Sequence, residues 1–245
     1  MRKYCLTMTS IATLLILSSL CTTTARAEGD WEVRVVPFVW ATGLSGELGP
    51  AARPANVRLD FGDILEVTEA GFVGEIDVTY KDDWFFLMEG QYLELEESGT
   101  GPMGSRVKLE STFGISSFGV GKRVAENIDV YTGGRFFYMD TDVSLAGAGT
   151  IGSTEDWVDP IIGFRVRAQA SEKLFIRLAM DVGGFGLNSD ITYAFASNLN
   201  YVFNDKYSAI FGYRMLDVDY DKGGFVFDAK MDGLLLGLGI TFRGT

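Results

Sequence analysis

Hydrophobic and polar side chains alternate along most of the chain with a period of two residues, the period of a β-strand that has two different faces. In residues 70–81, one face carries Phe72, Gly74, Ile76, Val78 and Tyr80, and the other carries Val73, Glu75, Asp77, Thr79 and Lys81. Residues 128–138, 158–170 and 174–182 repeat this pattern. About ten such segments predict an all-β fold.

The final segment has the clearest apolar face, with Leu234, Leu236, Leu238, Ile240 and Phe242 at alternate positions. It resembles the last strand of outer-membrane barrels, which ends on an aromatic residue and is handed to the barrel assembly machinery. The strands of a soluble β-sandwich also alternate, so alternation alone does not identify a membrane protein.

The connections between the segments are alternately short and long. The short ones are 81–83, 125–127, 171–173 and 204–206, and the long ones include 43–69, 96–105 and 145–154. Bacterial outer-membrane barrels have tight periplasmic turns, longer outer loops and an even number of strands. The sequence therefore predicts a transmembrane antiparallel up-and-down β-barrel of about 10 strands, with 8 or 12 as alternatives.

Aromatic residues cluster near the ends of the segments, as expected for the two interfacial girdles of a membrane barrel. They are Trp31, Trp40, Tyr80, Trp84, Tyr138, Trp157, Tyr193, Tyr201, Tyr207 and Tyr220. Packing across the strands of a soluble sheet is the competing explanation.

The amino terminus has the features of a secretory signal peptide. Residues 2–3 are basic, an apolar run follows, and residues 25–27 read Ala-Arg-Ala, which fits an A-x-A cleavage site. The apolar run is too short for a membrane-spanning helix. We predict a signal peptide at 1–27 and one outer-membrane β-barrel domain at 28–245.

The charge and the cysteine positions limit the possible partners and disulfides of the protein. The chain carries a net charge of −12, and losing three basic residues with the leader lowers it to −15. Such acidity argues against nucleic-acid partners, because phosphate backbones bind Lys and Arg. Cys5 and Cys21 both lie in the leader, so the mature domain needs no disulfide. Cleavage before Cys21 as a lipoprotein is an alternative that the preceding residues fit poorly.

Several local strings resemble a widespread family of Gram-negative outer-membrane β-barrel proteins that has no assigned reaction. These strings are Trp157-Val158-Asp159-Pro160, Gly163-Phe164-Arg165, Asp181-Val182-Gly183-Gly184-Phe185-Gly186, Gly212-Tyr213-Arg214 and residues 233–242. The resemblance runs from about Val35 to Phe242 and implies a barrel fold, of porin-like or OmpA-like type, located in the outer membrane.

No catalytic residues are predicted. The chain contains no histidine, which removes the usual base at physiological pH and the commonest transition-metal ligand. The known outer-membrane barrel enzymes, including phospholipase, lipid A palmitoyltransferase and deacylases, and omptin proteases, rely on a histidine, so this chain does not resemble them. A pair of carboxylates acting as in glycosidases stays open, although the sequence singles out no such pair. We expect no enzyme and no cofactor.

Three glycine- or aspartate-rich strings have simpler explanations than ligand binding. Residues 119–122 lack the first Gly and the Ser/Thr of a phosphate loop. The spacing of Asp217, Asp219 and Asp221 makes them weak calcium candidates, but Lys222 stands where the sharp-turn Gly belongs. Residues 183–186 fit a tight bend at a strand end better than a flexible ligand loop.

The charged faces of the strands are the main candidate site. The predicted inward charges are Glu75, Asp77, Glu89, Lys108, Glu110, Asp129, Arg135, Asp159, Arg165, Arg167, Arg177, Asp181 and Arg214. Enclosed charges have to be paired or hydrated, so they form either a salt-bridge plug or a narrow aqueous path. About ten strands lie near the size that side chains fill, which favours the plug. Residues 61–66 fold either inward as a lid or outward as a surface excursion.

Three functions remain open at this point. The first is a structural or surface-interaction barrel that meets outer-membrane lipid, lipopolysaccharide or an unidentified surface ligand. The second is a narrow porin-like channel or transporter for small solutes. The third is an enzyme acting on lipid or surface polymer, and a soluble periplasmic β-protein is the remaining alternative.

Overall fold

The computed structural model describes residues 30–81, 83–100, 106–145 and 149–243, so the predicted signal peptide lies outside the described residues. The elements are β1 (Trp31–Pro50), β2 (Ala55–Leu59), α1 (Phe61–Val67), β3 (Thr68–Tyr80), β4 (Trp84–Thr100), β5 (Arg106–Ala125), β6 (Ile128–Leu145), β7 (Gly149–Gln169), β8 (Leu174–Gly183), β9 (Ile191–Val202), β10 (Tyr207–Lys222) and β11 (Phe225–Arg243). The predicted all-β architecture is confirmed.

Ten of the strands close into an antiparallel barrel, because β11 pairs with both β10 and β1, and β2 is an extra strand attached to β1. Following hydrogen-bonded partners once around the wall from Trp31 leads to Gly43, twelve residues further along β1. With ordinary strand spacings this stagger tilts the strands by roughly 40° from the barrel axis. The number of strands agrees with the sequence prediction.

The two ends of the barrel differ. At one end, which we call the turn end, lie Trp31, Arg243 and the short turns that join β3 to β4, β5 to β6, β7 to β8 and β9 to β10. The opposite end, the loop end, carries the longest described connections, at residues 51–67 and 184–190, but also the two-residue hairpin Gly223-Gly224. Much of the segments 43–69, 96–105 and 145–154, which the sequence predicts as long connections, is strand instead, because the strands extend past the apolar part of the wall. Strand lengths are uneven, since β7 has 21 residues whereas β8 has 10. The wall is therefore lowest, at the loop end, between β8 and β9.

A belt of exposed apolar side chains surrounds the half of the barrel nearer the turn end. It includes Phe86, Met88, Phe118, Val130, Ile162, Phe164, Met180, Leu199, Phe211, Leu234, Leu236 and Leu238. Exposed Trp31, Trp84, Tyr201 and Tyr207 border it at the turn end. A closed β-barrel with such a belt satisfies its backbone hydrogen bonds internally and presents hydrocarbon outward, so the protein is an integral outer-membrane barrel, as the sequence predicts.

In the half of the barrel nearer the loop end, the inward faces of the strands become apolar and the outward faces become charged. On β10, Leu216, Val218 and Tyr220 are buried inside the barrel while the aspartates between them face outward. On β11, Phe227, Ala229 and Met231 are likewise buried inside. The loop-end half therefore has an apolar interior and a charged exterior, which is the arrangement of a water-soluble barrel. It extends beyond the apolar belt.

Three predicted girdle aromatics are inside instead. Trp40, Trp157 and Tyr220 are buried in the barrel core, at 5%, 5% and 7% exposure. Their positions near strand ends suggested a girdle, but they lie on inward faces of strands that continue past the membrane belt. Trp31, Trp84, Tyr193, Tyr201 and Tyr207 do face outward.

Residues 55–67 form the largest excursion from the wall. β3 pairs with β1 only up to Pro37 and Gly74; closer to the loop end, β2 pairs with Leu44–Leu48 of β1. The short helix α1 begins at the capping residue Asp60 and has no buried residue, so this segment is a surface excursion and not a lid. No helix in the described part of the chain is long and apolar enough to cross a membrane.

Candidate functional site

The interior of the barrel has two layers. The charge network, nearer the turn end, comprises Arg34, Glu75, Asp77, Glu89, Arg123, Asp129, Arg135, Arg165, Arg167, Arg177, Asp181 and Arg214. The aromatic plug, nearer the loop end, comprises Phe137, Trp157, Leu216, Val218, Tyr220, Phe225, Phe227 and Met231. The two layers arise because the inward-facing residues are charged in the turn-end half of the strands and apolar in the loop-end half.

Asp77 on β3 is central to the charge network, which lies near the turn end. Its Oδ1 accepts from Nη1 of Arg165 at 2.7 Å, and its Oδ2 lies 3.4 Å from Nη1 of Arg177. Arg177 also donates to Glu75 at 2.6 Å. Since Arg165 and Arg177 belong to β7 and β8, these contacts connect opposite walls through the lumen.

Asp129 gathers three arginines near the turn end. Arg167 and Arg123 approach its Oδ1 at 3.2 and 3.4 Å, and Arg165 approaches its Oδ2 at 3.6 Å. The guanidinium of Arg165 also lies 3.8 Å from the centre of the Phe85 ring, a cation–π arrangement. One carboxylate thus holds several cations that would otherwise repel one another.

Arg135 is the most enclosed cation of the network, at 2% exposure. Its Nη2 donates to both oxygens of Asp181 at 2.9 and 3.0 Å, and its Nε donates to Ser117 at 3.1 Å. The hydroxyl of Tyr131 donates to the same Asp181 at 3.0 Å. Gly163 makes this arrangement possible, because a Cβ there would lie 2.5 Å from the Tyr131 ring.

Arg214 forms a second connection across the lumen. It donates to Glu89 on β4, and its guanidinium lies 4.8 Å from the centre of the Trp40 ring. Arg214 therefore joins the charge network to the apolar residues next to it.

The aromatic plug is built around Trp157. Its ring stacks on Tyr220 and Phe137 with centroid separations of 4.0 and 4.7 Å. Its indole N–H lies 3.3 Å from Asp159 and 3.1 Å from the hydroxyl of Ser189. Ser189 in turn donates to Asp159 from its backbone N–H at 2.9 Å and from its hydroxyl at 2.5 Å.

These contacts fix residues 184–190, the loop between β8 and β9, over the low side of the wall. Lys222 donates to the carbonyls of Gly186 and Leu187 at 2.8 and 3.0 Å. Gly184, Phe185 and Gly186 all have positive φ, so the chain bends tightly there, as the glycine-rich sequence indicates. We refer to Trp157, Asp159 and Ser189 as the loop latch.

Eleven of the thirteen predicted inward charges lie inside the barrel. Ten of them lie in the charge network, namely Glu75, Asp77, Glu89, Asp129, Arg135, Arg165, Arg167, Arg177, Asp181 and Arg214. Asp159 belongs to the loop latch instead. Lys108 and Glu110 were expected inside but pair with each other at 2.8 Å on the outer wall, because the inward positions of β5 are Phe113, Ile115 and Ser117.

The weak metal candidates lie outside the barrel. Asp217, Asp219 and Asp221 alternate with the buried Leu216, Val218 and Tyr220 on β10, so they face outward beyond the apolar belt. Among the described residues, no group of three or more His, Cys, Asp or Glu side chains is placed to hold a metal ion.

Sequence reasoning missed several interior residues. Arg34 is a member of the charge network and donates to Asn200, while Ser117 accepts from Arg135 and Tyr131 donates to Asp181. Arg34 occupies the same face of β1 as the buried Val36 and Phe38, so extending the alternation towards the start of β1 would have found it. Ser189 lies in a loop, where alternation gives no signal.

A cavity of about 80 Å³ lies within the charge network. Four arginines, at 135, 165, 177 and 214, line it together with Glu75, Glu89, Asp181 and Asn198. A water molecule needs roughly 10–15 Å³ of such space. The cavity therefore has room for several waters or one small solute, and the aromatic plug separates it from the loop end.

No family model and no curated protein matches the chain. Among solved structures, the Escherichia coli outer-membrane protease OmpT shares 11% identity over 87% of this chain and 97% of its own, with a TM-score of 0.54. The translocator domain of the Neisseria meningitidis autotransporter NalP covers 95% of this chain and 96% of its own, at 11% identity and a TM-score of 0.49.

A third structure is Ail, the attachment invasion locus protein of Yersinia pestis, in complex with the heparin analogue sucrose octasulfate. It covers 88% of this chain and 99% of its own, at 10% identity and a TM-score of 0.42. Of these three structures, only OmpT has a TM-score above 0.5, and at 11% identity its likeness shows the fold alone. The resemblance to Gram-negative outer-membrane β-barrel proteins is thereby confirmed.

Proposed function

We propose that the chain is a non-enzymatic outer-membrane barrel with a closed interior and a structural or surface-interaction role. The observation that carries this proposal is that both interior layers obstruct the lumen. Arg135 and Asp129 are 2% exposed in the charge network, and Leu216, Val218 and Phe227 have no exposed surface in the aromatic plug. A permeating solute would have to displace both layers.

The charge network resists displacement for a physical reason. Removing one partner of a buried ion pair leaves an uncompensated charge, at a cost of about 3–5 kcal/mol. Asp77 and Asp129 each contact more than one arginine, so moving one cation disturbs several pairs. The paired charges therefore favour a rigid, closed interior over an open aqueous path.

The exterior supports a surface role. Beyond the apolar belt, the outer wall carries Glu94, Glu96, Glu110, Asp140, Asp142, Asp156, Asp217, Asp219, Asp221, Asp228 and Asp232. This acidic surface faces the headgroup region, and we propose outer-membrane lipid and lipopolysaccharide as its neighbours. We also propose that β11, with Phe242 near its end, is recognised by the barrel assembly machinery. The lack of histidine supports a role without catalysis.

Conductance of the purified protein in planar bilayers tests the closed interior. We expect no discrete openings from the wild-type protein, with heat-modifiable migration on a gel as the control that the barrel is folded. Reproducible openings whose size changes in Arg165→Ala or Arg167→Ala would show an aqueous path through the charge network and would overturn the proposal.

A narrow channel for small solutes is the second candidate. The polar cavity in the charge network favours it, because a solute needs a hydrated station on its way through the barrel. Openings in the same bilayer experiment are the result that this second function requires.

A further inference from the structure

The cavity in the charge network owes its shape to small side chains on two strands. Ala179 on β8 and Ala194 and Ala196 on β9 line it together with Arg135 and Arg214. The residues that would fill a packed lumen at this height are therefore absent from one side. Small side chains of the barrel wall create this space, which lies in the membrane-spanning half.

Two buried polar atoms at this cavity have no hydrogen-bond partner among the described residues. They are Nη1 of Arg135 and Oδ1 of Asn198, and the two side chains are 2% and 9% exposed. A buried donor of a charged group without a partner is costly. The amide of Asn198 presents an oxygen in one orientation and two N–H donors in the other.

The charge network is also electropositive, although the whole chain carries −12. Its described members are seven arginines, Arg34, Arg123, Arg135, Arg165, Arg167, Arg177 and Arg214, and five acids, Glu75, Asp77, Glu89, Asp129 and Asp181. Including Asp159 of the loop latch leaves one arginine in excess. In a low-dielectric interior such an excess attracts an anion.

From these observations we propose that the cavity binds a small inorganic anion, which Arg135 and Asn198 hold through N–H donors. The ion satisfies the unpartnered Nη1 of Arg135 and compensates the excess of arginine. This site goes beyond the proposed structural role, since a barrel can be closed to conduction and still hold an ion.

We expect the anion to enter from the turn end when ion pairs of the charge network open transiently. Arg167 is 44% exposed and Arg123 is 27% exposed there, whereas the aromatic plug covers the other side. These two arginines place positive charge along the entrance, so an anion meets favourable potential before it reaches Arg135.

Bromide is a suitable probe. Binding to the protein in detergent micelles is measured from bromide NMR line broadening and its reversal by chloride, with gluconate, which is too large for the cavity, keeping the ionic strength constant. We expect saturable broadening that chloride reverses. Crystals grown in bromide should show an anomalous peak within hydrogen-bond distance of Nη1 of Arg135.

Two isosteric variants and one cavity-filling variant test the assignment in opposite directions. Asp181→Asn removes the anionic partner of Arg135 and should tighten bromide binding at least about 10-fold, while Asn198→Asp adds a negative charge and should weaken it by a similar factor. Ala179→Leu fills the cavity and should abolish binding without any change in charge. Heat-modifiable migration controls for folding in each case.

The proposal is overturned if bromide does not bind the folded wild-type protein, because the cavity then holds only water. It is also overturned if Asn198→Asp and Ala179→Leu bind as the wild type does. Neither result depends on conductance, so failure of the anion site and failure of the closed-barrel function are distinguishable.

Discussion

At the scale of single residues, the loop latch shows how one carboxylate organises a loop. Both oxygens of Asp159 are used: Oδ1 accepts from the backbone of Ser189, and Oδ2 lies within reach of the Trp157 indole and the Ser189 hydroxyl. Asp159 has no exposed surface. The sequence predicted an inward charge at this position, but the alternation of a strand contains nothing about a contact with a loop residue 30 positions away.

Replacement of Asp159 tests the latch. In Asp159→Asn one carboxylate oxygen becomes an NH₂ group, so some of the donors of Trp157 and Ser189 lose their acceptor, at about 1–3 kcal/mol. We expect amide hydrogen exchange in residues 184–190 to become about 10- to 100-fold faster. The turn between β9 and β10, at the opposite end of the barrel, serves as the internal control. Unchanged exchange in the loop would contradict the role assigned to Asp159.

At the scale of elements, the period of the side-chain pattern predicts a strand, whereas the polarity of its two faces is a separate signal. Alternation correctly predicted the strands, including the final strand β11, which Gly223 and Gly224, both with positive φ, join to β10. Alternation does not state which face is inside. On β10 the outward residues change from Phe211 to Asp217 and Asp219, and only the length of the strand relative to the membrane reveals this change. The aromatic plug was missed for that reason.

The outer face of the β10–β11 hairpin yields a prediction about pH. Asp219 lies directly opposite Asp228, beyond the apolar belt. Partial burial, and then repulsion from Asp228, raise the pKa of the Asp219 carboxyl. A raised pKa in the folded state means that ionisation opposes folding, so stability is lost as the pH rises through the range from 3.8 upward and is regained on acidification.

Asp228→Asn removes this repulsion. We expect the variant to unfold at a higher temperature than the wild type at neutral pH, and the difference to shrink on acidification as the Asp219 carboxyl, whose pKa is raised, becomes protonated. Thermal unfolding in detergent across this pH range measures it. Glu172→Gln, in the exposed turn between β7 and β8 at the other end of the barrel, is the matched control. A difference that persists at low pH would point to a cause other than charge.

At the scale of the whole molecule, charge is sorted by surface. The exterior beyond the belt is acidic, whereas the charge network contains more arginines than acids. Sequence composition gave only the net value, because the sum of −12 hides an interior of opposite sign. The barrel closure and the apolar belt were predictable from the strand pattern, but the pairing of charges was not. The partners of Asp77, for example, lie 88 and 100 positions away, a separation that only the barrel register brings together.

Two barriers in series follow from this arrangement, and they predict a non-additive effect on conductance. Trp157→Ala with Phe227→Ala removes large parts of the aromatic plug but leaves the charge network intact, so we expect it to remain silent in planar bilayers. Arg135→Ala with Asp181→Ala removes one ion pair at constant net charge and leaves the plug intact, so it too should remain silent. The combined variant opens both layers and should show discrete openings.

Those openings should select anions, because the arginine excess survives in the combined variant; reversal potentials in a salt gradient measure the selectivity. Heat-modifiable migration must show that each variant is still a folded barrel. Openings in either double variant alone would mean that a single layer seals the barrel. Cation selectivity in the combined variant would mean that the acidic exterior, and not the charge network, governs the field that an ion meets along the path.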